Sequence, residues 1–471
     1  MFKLNPNSSE PLVSQIVTAL TQCIVSRQWR PGSRVQSIRE FARVHEVSTS
    51  TVVEAYDRLV AAGRLKARRG AGFFVPEVDR VDADQPPDRA NRAKIDGDWL
   101  LRNIFEQGES GIAAGCGWLP ENWHDLEAVS KGLRQLALNP KGMMRYGNPK
   151  GFEPLRQQIS RYLAELEIEA PPSQILLTLG ASQGMDLIVR RLTQPGDTVF
   201  VDDPGYTNLL SALRLRGLNL VGVPMTPTGA DVNALTTLLE QHHPQLFITN
   251  TQLQNPTGAS YSAATAFQVL RLAELHNFLV VEDNVSAELV PNRVFTLASA
   301  DQFRRVIYVG SFSKSIAPGL RVGFVIAESG LLEELVYHKL VSGLSTPSIN
   351  ERLVHSIFME GHVRKHLEQL RNRLAKAQER TCRRLENAQF KLFLEPGAGM
   401  FVWARPMDES VDTLALCQAA RSHDILLAPG QLFRPDQSPS PWMRFNVAYC
   451  DNDKLFTFIE ESMSSSREPV G

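Results

Sequence analysis

The sequence predicts an α/β protein made of a small basic N-terminal part and a larger body built around a mostly parallel sheet. From about residue 99 onward, short apolar runs such as QILLTLG, QLFITN and RVIYVGS alternate with helical patterns. This alternation is typical of a sheet covered by helices on both faces. The last hundred residues predict a smaller α+β part. A polar, Pro-containing stretch over 76–98 predicts a linker, which we bound as 76–108, between a head, residues 1–75, and a body, residues 109–471.

Charge is divided unevenly between the head and the rest of the chain. Residues 1–75 carry 11 basic and 5 acidic side chains, a net charge of +6, whereas the whole chain has a net charge of −1. A basic head on a mildly acidic body indicates that the head meets a polyanion such as DNA.

The composition and the N-terminal sequence argue against two classes of protein, those that span a membrane and those that are secreted. The chain is 43% hydrophobic, with no apolar stretch long enough to span a membrane and no signal-peptide pattern at the N-terminus. Its five cysteines are scattered without a CxxC pair, so we expect small buried hydrophobic side chains. We expect no metal site and no membrane partner, and the cysteine usage fits a reducing cytoplasm.

The head predicts three helices followed by a hairpin. Apolar spacing predicts a helix within 11–27, Ser37 is placed to cap a second helix, and Ser48 a third that ends near Gly63. The run LKARRGAGFFV then predicts a basic hairpin with a Gly-rich tip. Two short helices, a tight turn and a basic hairpin form a winged helix-turn-helix whose third helix enters DNA.

The candidate DNA-binding residues lie at the start of the third helix, in the segment before it and on the wing. The first turn offers hydroxyl and backbone N–H groups, and nearby arginines can reach phosphates or a minor groove. The candidates are Arg34, Arg39, Ser48, Thr49, Ser50, Arg68, Arg69 and Gly70. The alternative is that the arginines form a solvated face and the hydroxyls only cap the helix.

These residues resemble the GntR family of regulators. The run GSRVQSIREFARVHEVSTSTVVEAYDRLVAAGRLKARRGAGFFV follows the pattern of that family along nearly all its length. Two departures are present: Val35-Gln36-Ser37 replaces the usual Leu-Pro-Ser, and Thr49 stands where an arginine is common.

In the body, the string SFSKSIAPGLRVGF follows a predicted strand. A lysine that forms a Schiff base with an aldehyde cofactor needs hydroxyls and a fixed cation for the cofactor phosphate. Lys314 would supply the amine, and Ser311, Ser313 and Arg321 would bind the phosphate. The alternative is a surface lysine in a polar loop.

Other strand ends carry matching groups. In GASQG, Ser182 and Gln183 begin a helix whose N-terminus favours a phosphate. Tyr206 could stack on a pyridine ring or belong to the core. Asn255 of QNPTG can donate to the phenolic oxygen of the cofactor, and Asp283 can pair with its ring nitrogen and keep it protonated.

Arg444 lies amid apolar residues in PWMRFNVAYC and therefore needs an anionic partner. The functional interpretation is a bidentate grip on the carboxylate of a substrate or effector. A structural salt bridge is the alternative.

The order of these motifs resembles the class I/II aminotransferase-like proteins over residues 110–465, and a GntR head on such a body resembles the MocR subfamily of regulators. The resemblance implies a fold-type-I aminotransferase-like large domain with a small C-terminal α+β part. It also implies pyridoxal 5′-phosphate (PLP) on Lys314, a second small molecule as effector, and a homodimer.

In related enzymes the tyrosine matching Tyr146 reaches the phosphate of the neighbouring subunit's cofactor. Val285 and Ser286 stand where such proteins usually place a tyrosine, so the resemblance implies PLP binding without efficient transamination.

Three functional hypotheses follow. In the first, PLP and an amino acid or amine react at Lys314 and alter DNA binding by the heads. In the second, the protein is a working aminotransferase that the head tethers to DNA. In the third, the body responds to PLP alone. The effector, the operator and the sign of regulation are left open.

Overall fold

The computed structural model describes residues 10–25, 32–68, 72–76 and 111–465, apart from 139, 292–294, 360, 362 and 396, together with residues 4, 8 and 29. The chain divides into two compact units, within 1–92 and 93–471. Except for its first residue, the predicted linker over 76–108 lies outside the described residues, so its bounds stay a prediction. In the described part of the chain, no helix is long and apolar enough to cross a membrane.

The head contains the three predicted helices and the hairpin. Its elements are α1 (Leu12–Val25), α2 (Ile38–His45), α3 (Thr49–Ala61), β1 (Lys66–Arg68) and β2 (Gly72–Phe74). Ser37 Oγ accepts from Glu40 N–H at 3.3 Å and Ser48 Oγ accepts from Thr51 N–H at 3.1 Å, as expected of N-caps. The two strands pair antiparallel. Tyr56 is fully buried among apolar side chains from all three helices, which gives the head its own core.

The body is organised by an eight-stranded sheet with the strand order β3-β10-β9-β8-β7-β4-β5-β6. The strands are β3 (Ile175–Leu179), β4 (Thr198–Asp203), β5 (Asn219–Thr226), β6 (Gly229–Ala230), β7 (Leu246–Asn250), β8 (Leu279–Asp283), β9 (Val306–Ser311) and β10 (Val322–Ile326). The five strands β4, β5, β7, β8 and β9 are parallel, whereas β10 runs antiparallel to both of its neighbours. The predicted mostly parallel sheet is therefore confirmed.

Alternate strand residues pack into two separate apolar layers, one on each face of the sheet. Ile175 and Phe247 belong to one layer, whereas their neighbours Leu176 and Ile248 belong to the other. Strands buried on both faces need helices on both sides. The helices of this region are α4 (Leu126–Leu138), α5 (Glu153–Ala164), α6 (Gly180–Leu192), α7 (Thr207–Leu215), α8 (Val232–Gln241), α9 (Ala263–Leu275), α10 (Leu297–Asp301), α11 (Ser329–Gly343), α12 (Ser348–Met359) and α13 (Val363–Asn387).

A smaller antiparallel sheet, of order β11-β12-β14-β13, follows α13 as predicted. Its elements are β11 (Phe390–Leu392), β12 (Phe401–Pro406), α14 (Thr413–Arg421), β13 (Ala428–Pro429), β14 (Met443–Asn446) and α15 (Asp453–Ser465). The segment at 112–116 joins this part: Ile112 bridges Ile425, and Gly115 N–H donates to Leu426 O at 2.7 Å. Within the described residues none of the five cysteines forms a disulfide; four are buried and Cys23 is half-buried.

Candidate functional site

The candidate site lies at the carboxyl edge of the large sheet. Parallel strands β7, β8 and β9 end there, and Asn250 is paired with Asp283 across β7 and β8. Antiparallel β10 begins at the same edge, because Gly323 is paired with Ser311 at the end of β9. Ligands of open α/β sheets bind outside this edge.

Lys314 lies three residues beyond the end of β9, and its ammonium donates to the carbonyl oxygen of Gly117. Burial, together with the positive charges of Arg444 and Arg321, lowers the pKa of Lys314 to about 8, although Asp283 acts in the opposite direction. A lysine whose pKa is lowered in this way has a larger fraction of neutral, nucleophilic amine near neutral pH.

An anion cradle lies beside this lysine. Arg321 Nη1 donates to Ser313 Oγ at 3.4 Å, and Ser311 Oγ donates to the same oxygen at 3.1 Å. The guanidinium passes over the N-terminus of α6, where a Cβ at Gly180 would lie 2.5 Å from Arg321 Nη2. Gly180 also has a φ of +69°, so glycine is required there on two counts. Two hydroxyls, one guanidinium and a helix N-terminus match the needs of a phosphate.

Asp283 ends β8 with 7% of its surface exposed. Burial raises the pKa of its carboxyl to about 6, while the N–H of Val285, which donates to Oδ1 at 3.3 Å, and nearby Lys314 lower it. A cationic ring nitrogen against this carboxyl would favour its charged form. Half-buried Tyr206, which precedes α7, lines the same cavity.

Arg444, in the middle of β14, is 3% exposed. Its Nη1 donates to Asn255 Oδ1 at 2.8 Å and its Nη2 to the carbonyl oxygen of Gly115 at 2.6 Å. Its Nε has no hydrogen-bond partner, and no carboxylate among the described residues pairs with it. Burial lowers the pKa of Arg444 to about 10. The structural salt bridge considered above is therefore not found in the described part of the chain.

One cavity of about 160 Å³ brings most of the predicted cofactor residues together. It is lined by residues at the ends of β7, β8 and β9, in the loops beside them, and in α6 and α7. The predicted residues among them are Ser182, Tyr206, Asn255, Asp283, Ser311, Ser313, Lys314 and Arg321. Their chemistry fits PLP: the cradle suits its phosphate, the buried carboxyl its ring nitrogen and the lysine its aldehyde.

Two predicted cofactor residues lie elsewhere. Gln183 is absent from this lining, and its Oε1 accepts from Leu179 N–H at 2.7 Å, because the first turn of α6 directs the side chain back to the end of β3. Tyr146 has 84% of its surface exposed on the single chain. Its expected contact with a neighbouring subunit's cofactor stays a prediction.

Sequence reasoning missed the segment Gly115-Cys116-Gly117. The carbonyl oxygens of Gly115 and Gly117 accept from Arg444 and Lys314, the two cations expected to hold a ligand. Asn446 Nδ2 also donates to Cys116 O at 3.2 Å. Backbone carbonyls carry no residue-specific pattern, and only the run of glycines around Cys116 could have drawn attention to it.

The candidate DNA-contacting residues of the head are on its surface. Arg34, Arg39 and Arg68 are exposed, as are the residues at the start of α3. Ser48 Oγ lies 2.8 Å from Ser50 Oγ, and Thr49 is exposed beside them. The Arg68 guanidinium lies 4.8 Å from the centre of the Phe74 ring. Arg69 and Gly70, at the predicted wing tip, lie outside the described residues.

Comparisons with known proteins match both parts. A family model described as aminotransferase class I and II matches residues 119–461, and one described as bacterial regulatory proteins, gntR family, matches residues 12–75. The uncharacterized HTH-type transcriptional regulator YdfD of Bacillus subtilis is 27% identical over 96% of this chain and 95% of its own. The probable rhizopine catabolism regulatory protein MocR of Rhizobium meliloti is 25% identical over 91% of this chain and 88% of its own.

A solved structure shares the fold of the body. The crystal structure of LysN, an alpha-aminoadipate aminotransferase from Thermus thermophilus complexed with N-(5′-phosphopyridoxyl)-L-leucine, superposes with a TM-score of 0.71 at 24% identity. The match covers 78% of this chain and 95% of that one.

Proposed function

The chain belongs to the aminotransferase class I and II family and carries a gntR-family region at its N-terminus, and from this premise we propose that it is a DNA-binding transcription regulator controlled by PLP and an amino-acid or amine effector. The observation that carries the proposal is the presence, in one chain, of a PLP-type cavity and a helix-turn-helix with exposed arginines. We also propose that it acts in the cytoplasm, where a bacterial regulator meets DNA.

The residues at the sheet edge would hold PLP. Ser182, Ser311, Ser313 and Arg321 would bind its phosphate, with the N-terminus of α6 behind them. When bound, PLP supplies an aldehyde that takes amines covalently and a ring that withdraws electrons.

The remaining side chains would set the position and protonation of the ring. Asp283 would hold a proton on the ring nitrogen, and Tyr206 would pack on the ring face. Asn255 would donate to the phenolic oxygen, and Lys314 would supply the amine.

Arg444 would bind the effector carboxylate. It is buried, its Nε has no partner, and its other contacts are to the neutral oxygens of Asn255 and Gly115. An incoming carboxylate would take the free Nε and replace Gly115 O on Nη2, so that a bond from a cation to a neutral oxygen becomes a two-bond contact between opposite charges. The effector can control DNA binding only if it binds two states of the protein unequally.

We propose that the protein acts as a homodimer. Helix α11 exposes Tyr337 and Val341, with 66% and 73% of their surfaces accessible, although its other side packs into the core. Leu344, directly after the helix, is 49% exposed. Met144 and Tyr146 are 85% and 84% exposed. Several large apolar side chains exposed on one protein are typical of a subunit interface. A dimer would also carry two heads, which would match two half-sites on DNA.

A working aminotransferase is the second candidate function. The chain has Lys314, Asp283, Asn255 and Arg444, and the first three line the PLP-type cavity. Against it stand Val285 and Ser286, at the positions where related proteins usually have a tyrosine; of the two, Val285 lines that cavity. Asn255 would then be the one donor to the phenolic oxygen among the described cavity residues.

Fluorescence anisotropy tests the proposal. The purified protein is titrated on DNA from upstream of its own gene, with and without PLP and a panel of amino acids, at one fixed salt concentration because phosphate contacts make affinity salt-dependent. We expect tight binding over competitor DNA, shifted by one amino acid only when PLP is present. A shift by PLP alone would indicate the PLP sensor. Binding no better than to random DNA under every condition, with multiple turnovers of amino donor and keto acid, would indicate the aminotransferase.

A further inference from the structure

Helix α3 of the head exposes an apolar side chain among polar ones. Val53 has 40% of its surface exposed, whereas Ala55 and Tyr56 of the same helix are fully buried in the core of the head. Residues three and four apart on a helix are neighbours, so Val53 lies beside Thr49 and Ser50, which are exposed on the first turn. These three residues, Thr49, Ser50 and Val53, form what we call the outer face of α3.

Packing within the head does not account for a valine at position 53. Val53 is absent from the apolar cluster that forms the core of the described head. Valine is also a poorer helix former than alanine, because its branched side chain loses rotamer freedom in a helix. The two methyl groups of Val53 therefore contribute little to folding and are accessible to a ligand of the helix.

The side chains that read purines through paired hydrogen bonds are missing from α3. In the major groove of DNA, arginine or lysine reads guanine, and asparagine or glutamine reads adenine. The helix sequence TSTVVEAYDRLVA contains no lysine, asparagine or glutamine. Its one arginine, Arg58, is paired with Glu54 at 2.7 Å. The helix therefore has no unpaired side chain for a bidentate contact with a purine.

The other polar side chains of α3 discriminate little at the base edges. The hydroxyls of Thr49 and Ser50 suit several bases, and Ser50 Oγ already lies 2.8 Å from Ser48 Oγ. Asp57 could accept from cytosine, but it lies two turns into the helix, whereas the N-terminal residues of a recognition helix contact the bases. Val53 lies one turn in, and an apolar side chain recognises the C5-methyl group of thymine.

We propose that Val53 is a specificity-determining residue of the head, which selects a thymine in each operator half-site by packing on its C5-methyl group in the major groove. The inference rests on the DNA-binding function proposed above and adds to it the base that is read. Exposed Arg34 and Arg39 would contact phosphates, which fix position and affinity but carry no sequence information. Selection of the base is thereby assigned to an apolar contact.

Anisotropy titrations of the full-length protein on modified duplexes test the proposal. The operator is first defined by selection from a randomised duplex library at one fixed salt concentration. Each thymine of the selected site is then replaced in turn by deoxyuridine, which removes the methyl group and keeps the base pairing. We expect one position in each half-site at which the replacement weakens binding about fourfold, the effect of burying one methyl group, and about 16-fold when both half-sites are changed.

Three variants assign the methyl contact to one residue. Val53→Ala should bind the thymine and deoxyuridine operators equally, about as weakly as the unchanged protein binds the deoxyuridine one. Alanine is the better helix former, so this variant should stay folded, as circular dichroism can verify. The matched control is Val44→Ala in α2, where the valine is 38% exposed, and it should retain the full discrimination between the two operators. Thr49→Ser removes the other methyl group of the outer face and should retain the discrimination as well.

The outcomes separate this inference from the function on which it rests. A selected operator without thymine, or one whose thymines all tolerate deoxyuridine, would overturn the role of Val53 and leave sequence-specific DNA binding intact. Discrimination that persists in Val53→Ala, or that is lost in Thr49→Ser or Val44→Ala instead, would do the same. Selection of no sequence at all would refute sequence-specific binding by the head, and with it the regulator hypothesis.

Discussion

Arg444 Nη1 donates to Asn255 Oδ1 at 2.8 Å, and this bond fixes which way the asparagine amide points. A guanidinium has only donors, so the oxygen of the amide must face Arg444. The amide nitrogen is thereby left to donate to an acceptor in the cavity that Asn255 lines. One hydrogen bond thus joins the residue expected to hold the effector to a residue expected to hold the cofactor.

Replacing Arg444 with lysine should separate effector binding from cofactor binding. Lysine keeps the charge but cannot hold a carboxylate through two parallel N–H groups, so we expect amino-acid affinity to fall about 30-fold, or about 2 kcal/mol. PLP affinity should change less, because Arg444 does not line the cofactor cavity and the lysine ammonium can still donate to Asn255 Oδ1. Absorbance titration of the PLP-loaded protein measures both. Arg405→Lys, in the neighbouring strand β12, is the matched control, and unchanged amino-acid affinity in Arg444→Lys would contradict the assignment.

Lys314→Ala should abolish covalent attachment of PLP and leave weak, dialysable binding through the anion cradle. Without the amine the aldehyde has no nucleophile, whereas Ser311, Ser313 and Arg321 are untouched. Mass spectrometry after borohydride reduction should find the PLP adduct in the unchanged protein and none in Lys314→Ala. The control is Lys150→Ala, which removes a lysine paired with Glu333 away from the cavity. An adduct that persists in Lys314→Ala would place the cofactor on another lysine.

The rate of covalent PLP uptake should rise with pH up to about 8 and then level off. The pKa of Lys314 is lowered to about 8, and only the neutral amine attacks an aldehyde. Below that pH the neutral fraction grows roughly tenfold per pH unit, and above it little remains to be gained. Stopped-flow absorbance of PLP-free protein mixed with PLP measures the rate. A rate that keeps rising to about pH 10, the range of an ordinary lysine, would contradict the lowered pKa.

In the head, Arg34→Ala and Arg39→Ala should each weaken DNA binding at fixed salt and lower the slope of log affinity against log salt by about 1. Both side chains are exposed and carry no ion pair in the described part of the head. The matched control is Arg58→Ala in α3, whose guanidinium is already paired with Glu54 at 2.7 Å. Anisotropy titrations over a range of salt concentrations provide the slopes. Slopes identical to that of the unchanged protein would remove these arginines from the interface.

Val285→Tyr should raise transamination. Val285 lines the PLP-type cavity, so a tyrosine hydroxyl there can approach the phenolic oxygen of the cofactor as a second donor beside Asn255. We expect multiple-turnover transfer between an amino donor and a keto acid to increase about tenfold, somewhat below what a well-positioned proton donor contributes. Val285→Phe adds the ring without the hydroxyl and is the control. Equal rates for the two variants would show that the missing hydroxyl is not what limits turnover.

Much of the site could be predicted because each motif follows a strand, and parallel strands end at one edge of a sheet. That reasoning brings Asp283, Lys314 and the start of α6 together without any knowledge of distances. Arg321 reaches the same edge for a different reason: the short connection over 312–321 allows only an antiparallel return, so β10 begins where β9 ends. The helix and strand order of the head was predictable from caps and turns in the same local way.

Long-range backbone contacts could not be predicted. Gly115 and Arg444 are 329 residues apart, and the carbonyl that joins them is common to every residue type. Gln183 shows the limit at short range, because one turn of helix decides whether its side chain faces the cavity or the end of β3.

The carbonyl oxygens of Gly115 and Gly117 affect the ligand concentration at which the protein responds. A carboxylate that uses both Nε and Nη2 of Arg444 must first displace the bond that Nη2 makes to Gly115 O, so its observed affinity is the intrinsic one reduced by the fraction of molecules in which that bond is open. The threshold concentration is then set partly by how firmly residues 112–116 are held by residues 424–426 and by the end of β14. Substitutions in that contact would retune sensitivity while every ligand-binding side chain stayed the same.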